Sequence, residues 1–158
     1  EYTPEMPTVS ARCKRSMIMA VRINGGLVDG LTGTHTHGPS GDTLQTTAPK
    51  DNGGTGEHFS PTDLLATSLG SCMVTIMALA AKKHDLNIDG TTFDVDKHMT
   101  AEAPRRVAQL DVAIHVPNDL SEDMQQTLIN AGKGCPVCRS LSPDIKIDVQ
   151  FTFGGPKD

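Results

Sequence analysis

Apolar and polar positions alternate in some stretches of the chain and recur every three or four residues in others. The switches between these patterns predict an order of elements. Met17-Ile18-Met19-Ala20-Val21-Arg22-Ile23 reads as a strand, with Asn24-Gly25-Gly26 as its turn. Leu31 to Thr36 and Thr43 to Thr47 continue as two further strands of a meander. The segment from Ala48 to Glu57 is rich in breakers and long enough to be a functional loop. Ser60-Pro61-Thr62-Asp63 is the clearest helix start in the chain. It offers a hydroxyl cap, a proline at the first helical position and an acid in the first turn. Leu65, Leu69, Cys72, Ile76 and Leu79 fall three or four apart, which predicts one buried face with Cys72 on it. Lys82, Lys83 and His84 suit the C-terminal dipole, and Asn87 or Gly90 ends the unit.

Thr91 to Thr100 and Val107 to Val116 alternate as two strands joined by residues 101–106. A second helix is expected from the cap Ser121 to about Ala131, closed by Gly132 and Gly134, and Pro136 permits one more short turn. Asp144 to Phe151 alternates as a last strand. Runs of strands with few helices argue for an α+β fold rather than a doubly wound sheet. Residues 17–153 read as one domain. Residues 1–16, which match neither periodicity, read as a tail that is disordered or not native, and residues 154–158 as a C-terminal tail.

Composition narrows the function. At 158 residues the chain can bury about two-thirds of its unfolded surface as one domain. Its 14 basic and 19 acidic residues, with four Phe, one Tyr and no Trp, offer neither an electrostatic footprint nor stacking platforms for nucleic acid. The 18 residues between Asp63 and Lys82 carry no charge, at the lower edge of a membrane-spanning length. Thr67, Ser68, Gly70, Ser71 and Thr75 dilute that run, so it reads as a central helix of a soluble protein. No signal peptide is visible in residues 1–15, and four cysteines are too few for a disulfide scaffold. Both point to a reducing cytoplasm, where paired cysteines tend to be catalytic or metal-binding.

The candidate chemistry lies in those cysteines. Cys135 precedes Pro136 and would cap a helical turn, where orphan N–H groups favour thiolate over thiol. Arg139, one turn on, could add positive charge. Cys72, in mid-helix, gains nothing from a helix terminus and needs a cation from elsewhere. Cys135-Pro136-Val137-Cys138 has the spacing of redox dithiols, but it comes late and after a helix, unlike thioredoxin-like proteins. A zinc site could use Cys135 and Cys138 with Cys72, Cys13, His35 or His37 completing the set. His35 and His37 share one strand face and read more simply as exposed strand histidines. The Gly53-Gly54-Thr55-Gly56 run lacks the lysine of a phosphate loop.

Ser60-Pro61-Thr62-Asp63-Leu64-Leu65, followed by Leu69-Gly70-Ser71-Cys72 and the late Cys135-Pro136-Val137, resembles the OsmC/Ohr family of thiol-dependent peroxidases. The likeness spans about Met17 to Phe153 and is closer to the broad OsmC-like branch than to Ohr proper. It implies an intertwined homodimer with central helices, antiparallel sheets outside and active sites at the subunit interface. No cofactor is implied. The resemblance makes Cys72 the peroxidatic thiol that attacks a peroxide, organic hydroperoxides above all. It makes Cys135 the resolving thiol that closes a disulfide, reduced by an external dithiol of lipoyl or thioredoxin type. The family's activating arginine is expected at Arg22. Its glutamate is replaced by Thr62, so Asp63 or Glu57 is expected to substitute. Cys138 stands where a non-cysteine is common, as a competitor for Cys135 or a second resolving thiol. Two other readings remain: a non-catalytic OsmC-like domain that binds a small apolar ligand, and a zinc module built on Cys135 and Cys138.

Overall fold

A computed structural model describes residues 20–155. The chain divides into one unit up to Thr46 and a second from Thr47 onward. The first unit is a three-stranded sheet of β1 (Ile23–Asp29), β2 (Thr32–His37) and β3 (Thr43–Thr47), paired in that order. β1 and β2 are antiparallel and register Gly25 opposite His35. Of the predicted first strand, Met17–Met19 lies outside the described residues and Ala20–Arg22 is not strand. Asn24-Gly25-Gly26 is not a turn but the middle of β1, and the chain reverses at Gly30-Leu31, where Gly30 has φ +49°. The physical reason is cross-strand. A Cβ on Gly25 would stand 2.3 Å from Nδ1 of His35, so this glycine makes room for an imidazole.

The second unit opens with a 3-10 turn at Lys50–Asn52, then α1 (Pro61–Lys82), β4 (Thr92–Met99), β5 (Val107–Val116), α2 (Glu122–Lys133), α3 (Pro136–Ser140) and β6 (Lys146–Phe153). The strands form a sheet in the order β4-β5-β6. β4 and β5 are antiparallel, but β5 and β6 run parallel, which corrects the expectation of purely antiparallel sheets. Parallel neighbours need a crossover rather than a hairpin, and α2 and α3 are that crossover.

Helix α1 starts as its residues dictate. The Ser60 hydroxyl accepts from the Asp63 N–H at 3.1 Å, and Asp63 Oδ2 accepts from the Ser60 N–H at 2.7 Å, a reciprocal capping box. Its buried face differs from the expected one. Ala66, Leu69, Gly70, Met73, Met77 and Ala81 are buried, whereas Cys72 is half-buried and Leu79 is 55% exposed. The cause is close approach at glycine. A Cβ on Gly70 would come within 2.3 Å of the Phe93 ring, and one on Gly132 within 3.1 Å of Met77 Sδ. The contact axis therefore runs through Gly70, Met73 and Met77, and Cys72 is turned to its edge. For the same reason Gly132 lies inside α2 rather than closing it, and Gly134 is the C-cap. Leu110, Val112, Ile114, Val116 and Leu128 complete the core of this unit.

Candidate active site

Three thiols converge at the junction of α1 and α3. Cys135 is the N-cap of α3, as the proline after it requires, and is fully buried. Its Sγ accepts from the Cys138 N–H at 3.3 Å. The Cys72 side chain, from the edge of α1, is close enough to be its hydrogen-bond partner. Cys72 and Cys138 are both half-buried, and all three are unpaired thiols.

The N-cap position does not make Cys135 a thiolate. Burial pushes its pKa above the ordinary 9.0, and the Cys138 N–H pulls the other way without prevailing. The hydrogen bond to Cys72 and the nearness of the Cys72 and Cys138 thiols push it further up. Desolvation across a fully buried sulfur outweighs the single N–H that a five-residue helix aims at it. Cys135 is thus held as a neutral thiol beside Cys72.

The two expected carboxylates lie at the start of α1 and in the loop before it. Both carboxylate oxygens of Asp63 are engaged: Oδ2 in the capping box, and Oδ1 with Lys97 Nζ at 2.5 Å. Burial raises the Asp63 pKa, but the Lys97 ammonium and the Ser60 N–H and hydroxyl hold it below its ordinary 3.8. Asp63 lies nine residues before Cys72, roughly 13 Å along the helix axis. Glu57 is exposed in the loop before α1. Arg22 belongs to the first unit, where its carbonyl accepts from the Gly38 N–H at 2.8 Å. Among the described residues, no hydrogen bond or ion pair joins a cation to Cys72.

The two strand histidines are each engaged by a hydroxyl. His35 Nε2 bonds Thr46 Oγ1 at 2.8 Å, and His37 Nδ1 bonds Ser40 Oγ at 2.6 Å. Among the described residues, no group of three His, Cys, Asp or Glu is placed to hold a metal. Cys13 lies outside the described residues.

Lys97 joins the start of α1 although its own stretch of sequence carries no motif. It donates to Thr62 Oγ1 at 2.8 Å as well as to Asp63, tying β4 to the start of α1. The signal was present: Phe93, Val95, Lys97 and Met99 are the inward positions of β4, and only one of them is charged. Beside Lys97 an open cavity of about 580 Å³ is lined by Phe59, Ala66, Phe93 and Val95, with Glu57 at its polar side. None of the three thiols lines it.

With this geometry in view, comparisons with known proteins agree with one another. The model of the OsmC-like protein family matches residues 54–150. A crystal structure from Psychrobacter arcticus 273-4, described as an osmotic stress induced and detoxification response protein, is 38% identical. It covers 88% of this chain and 99% of its own, with a TM-score of 0.78. An organic hydroperoxide resistance protein OsmC of Legionella pneumophila shares the fold at 15% identity and TM-score 0.67, over 87% of this chain and 99% of its own. OhrB of Bacillus subtilis, an organic hydroperoxide resistance protein, does so at 16% identity and TM-score 0.63, over 85% and 99%. No curated protein sequence matches the chain. The chain has the α+β OsmC-like fold of two sheets with helices, and it belongs to the OsmC-like protein family.

Proposed function

We propose that this protein is a cysteine-based peroxidase that reduces organic hydroperoxides. The observation that carries this reading is a half-buried thiol, Cys72, set against a buried neutral thiol, Cys135. The Cys72 thiolate attacks the O–O bond of ROOH, the alcohol leaves with a proton, and Cys72 becomes a sulfenic acid. Cys135 attacks that sulfur, water leaves, and a Cys72–Cys135 disulfide forms. An external dithiol of lipoyl or thioredoxin type then returns both thiols by exchange. Such a cycle belongs in a reducing compartment, the cytoplasm, and needs no metal or organic cofactor.

The active form in this reading is a homodimer. Only 33% of the most apolar 18-residue window of α1 is buried within one chain. Ile23 is 69% and Leu27 76% exposed. Apolar surface of this kind is what a second copy covers. Thiolate attack needs a cation at Cys72, and we assign that role to Arg22 in the assembled dimer.

The decisive measurement is dithiol-dependent consumption of an organic hydroperoxide by the wild type and Cys72→Ser. Turnover is expected in the wild type and none in the variant, and a reduced wild type without turnover overturns the reading. Arg22→Ala is expected to lower turnover by about 100-fold or more, the usual effect of removing one charge-stabilising donor. A second reading has one observation in its favour: the cavity beside Lys97 is apolar on one side and contains no thiol. A domain that only binds a small ligand there would keep its binding when Cys72 is replaced.

A further inference from the structure

Cys138 is the one thiol of the three that the cycle above leaves unused, and it is the best placed to act on Cys135. It sits at the third position of α3, with Cys135 as N-cap, so the two lie on one helical turn. Its N–H already points at the Cys135 sulfur, 3.3 Å away. Dithiols of this spacing at a helix start are the ones that cycle between dithiol and disulfide. Cys135 therefore has a thiol neighbour on each side, Cys72 from α1 and Cys138 from its own turn.

We propose that the three thiols form a disulfide relay, in which Cys138 takes over the bond first made between Cys72 and Cys135. The inference rests on the reading of Cys72 as the thiol that peroxide oxidises. The Cys138 thiolate attacks the Cys135 sulfur, and the Cys138–Cys135 bond forms as the Cys135–Cys72 bond breaks. The electron pair leaves on Cys72 as thiolate, and the proton lost by Cys138 goes to solvent. No net oxidation or reduction occurs in this exchange. An external dithiol then attacks Cys138, Cys135 leaves and takes up a proton, and the second thiol of the reductant closes its own disulfide and releases Cys138.

The consequence is a division of entrances. Cys135 is fully buried, so no reductant reaches its sulfur directly. Without the relay, a dithiol has to enter at Cys72, where the peroxide binds. With it, Cys72 is free for the next peroxide while the reductant works at α3.

The test is disulfide mapping by mass spectrometry. Reduced wild type is treated with one equivalent of cumene hydroperoxide in the absence of dithiol, quenched in acid and alkylated. The expected end product is Cys135–Cys138 with Cys72 alkylated. Cys138→Ser is expected to hold Cys72–Cys135 and to lose about tenfold or more in dithiol-dependent turnover. A wild type that keeps Cys72–Cys135 with Cys138 alkylated overturns the relay. If cumene hydroperoxide leaves Cys72 reduced, the peroxidase reading fails instead. The relay is then judged by oxidising the same protein with diamide. Cys135–Cys138 as the stable product supports it, and Cys72–Cys135 alone overturns it.

Discussion

Cys135 is pulled in two directions, and the balance sets how it behaves with pH. Burial and the two neighbouring thiols favour its proton, while the Cys138 N–H favours its loss, and burial prevails. Because its folded-state pKa lies above the unfolded one, the folded chain keeps a proton over a range in which the unfolded chain has lost it. The stability this contributes is complete below the unfolded value, about 9, and is lost as pH rises through the folded value. Denaturant midpoints of the reduced protein are therefore expected to fall between about pH 8 and pH 10 more steeply for the wild type than for Cys135→Ser. The slope is the readout, since the substitution also alters packing at any single pH. Equal slopes would show that Cys135 titrates as it does in the unfolded chain.

Helix α1 is placed by its start and by one glycine. Its start is closed by Ser60 and Asp63 and bolted to β4 by Lys97, and its middle lies against Phe93 through Gly70. Glycine inside a helix costs about 1 kcal/mol relative to alanine, so Gly70→Ala gains that much in propensity. A new Cβ 2.3 Å from the Phe93 ring costs more, because overpacking a filled core typically loses 1–3 kcal/mol. Gly70→Ala is expected to be destabilising on balance in urea unfolding. A stabilised variant would mean that Phe93 moves aside freely. The same substitution shifts α1 away from the sheet, so it is also expected to slow disulfide closure between Cys72 and Cys135.

At the scale of the molecule the question is what covers the apolar surface. Leu27 and Ile23 on β1 and Leu79 on α1 are more than half exposed in one chain. If a second copy covers β1, Leu27→Asp places a charge in an interface without a partner, at a cost of several kcal/mol. Light scattering is then expected to show the wild type at twice the chain mass and Leu27→Asp at or near the chain mass. A wild type that is monomeric at micromolar concentration removes the dimer.

Much is legible in the sequence, because the informative signals are local. Ser60-Pro61-Thr62-Asp63 closes a helix with its own side chains, and Cys135-Pro136 starts another, so both cysteines' elements could be read from short stretches of sequence. The order of the strands around α1 and α2 was likewise carried by alternation and breakers. Gly25 misled because glycine is a signal for turns, and only the pairing with His35 reveals that it makes room for a ring across the strand. The face of α1 misled because its axis is set by the glycine and methionines that meet Phe93, a contact between residues 23 positions apart. Asp63 draws notice in the sequence for its charge, but its partner Lys97 lies on a different element. The sequence by itself determined the elements, their caps and the two cysteine motifs, since each depends on neighbours within a turn or two. Only the tertiary structure decided which face of α1 is buried, that β6 runs parallel to β5, and that Cys135 stays a neutral thiol between Cys72 and Cys138. Burial and charge are set by residues far apart in the chain, and no local pattern records them.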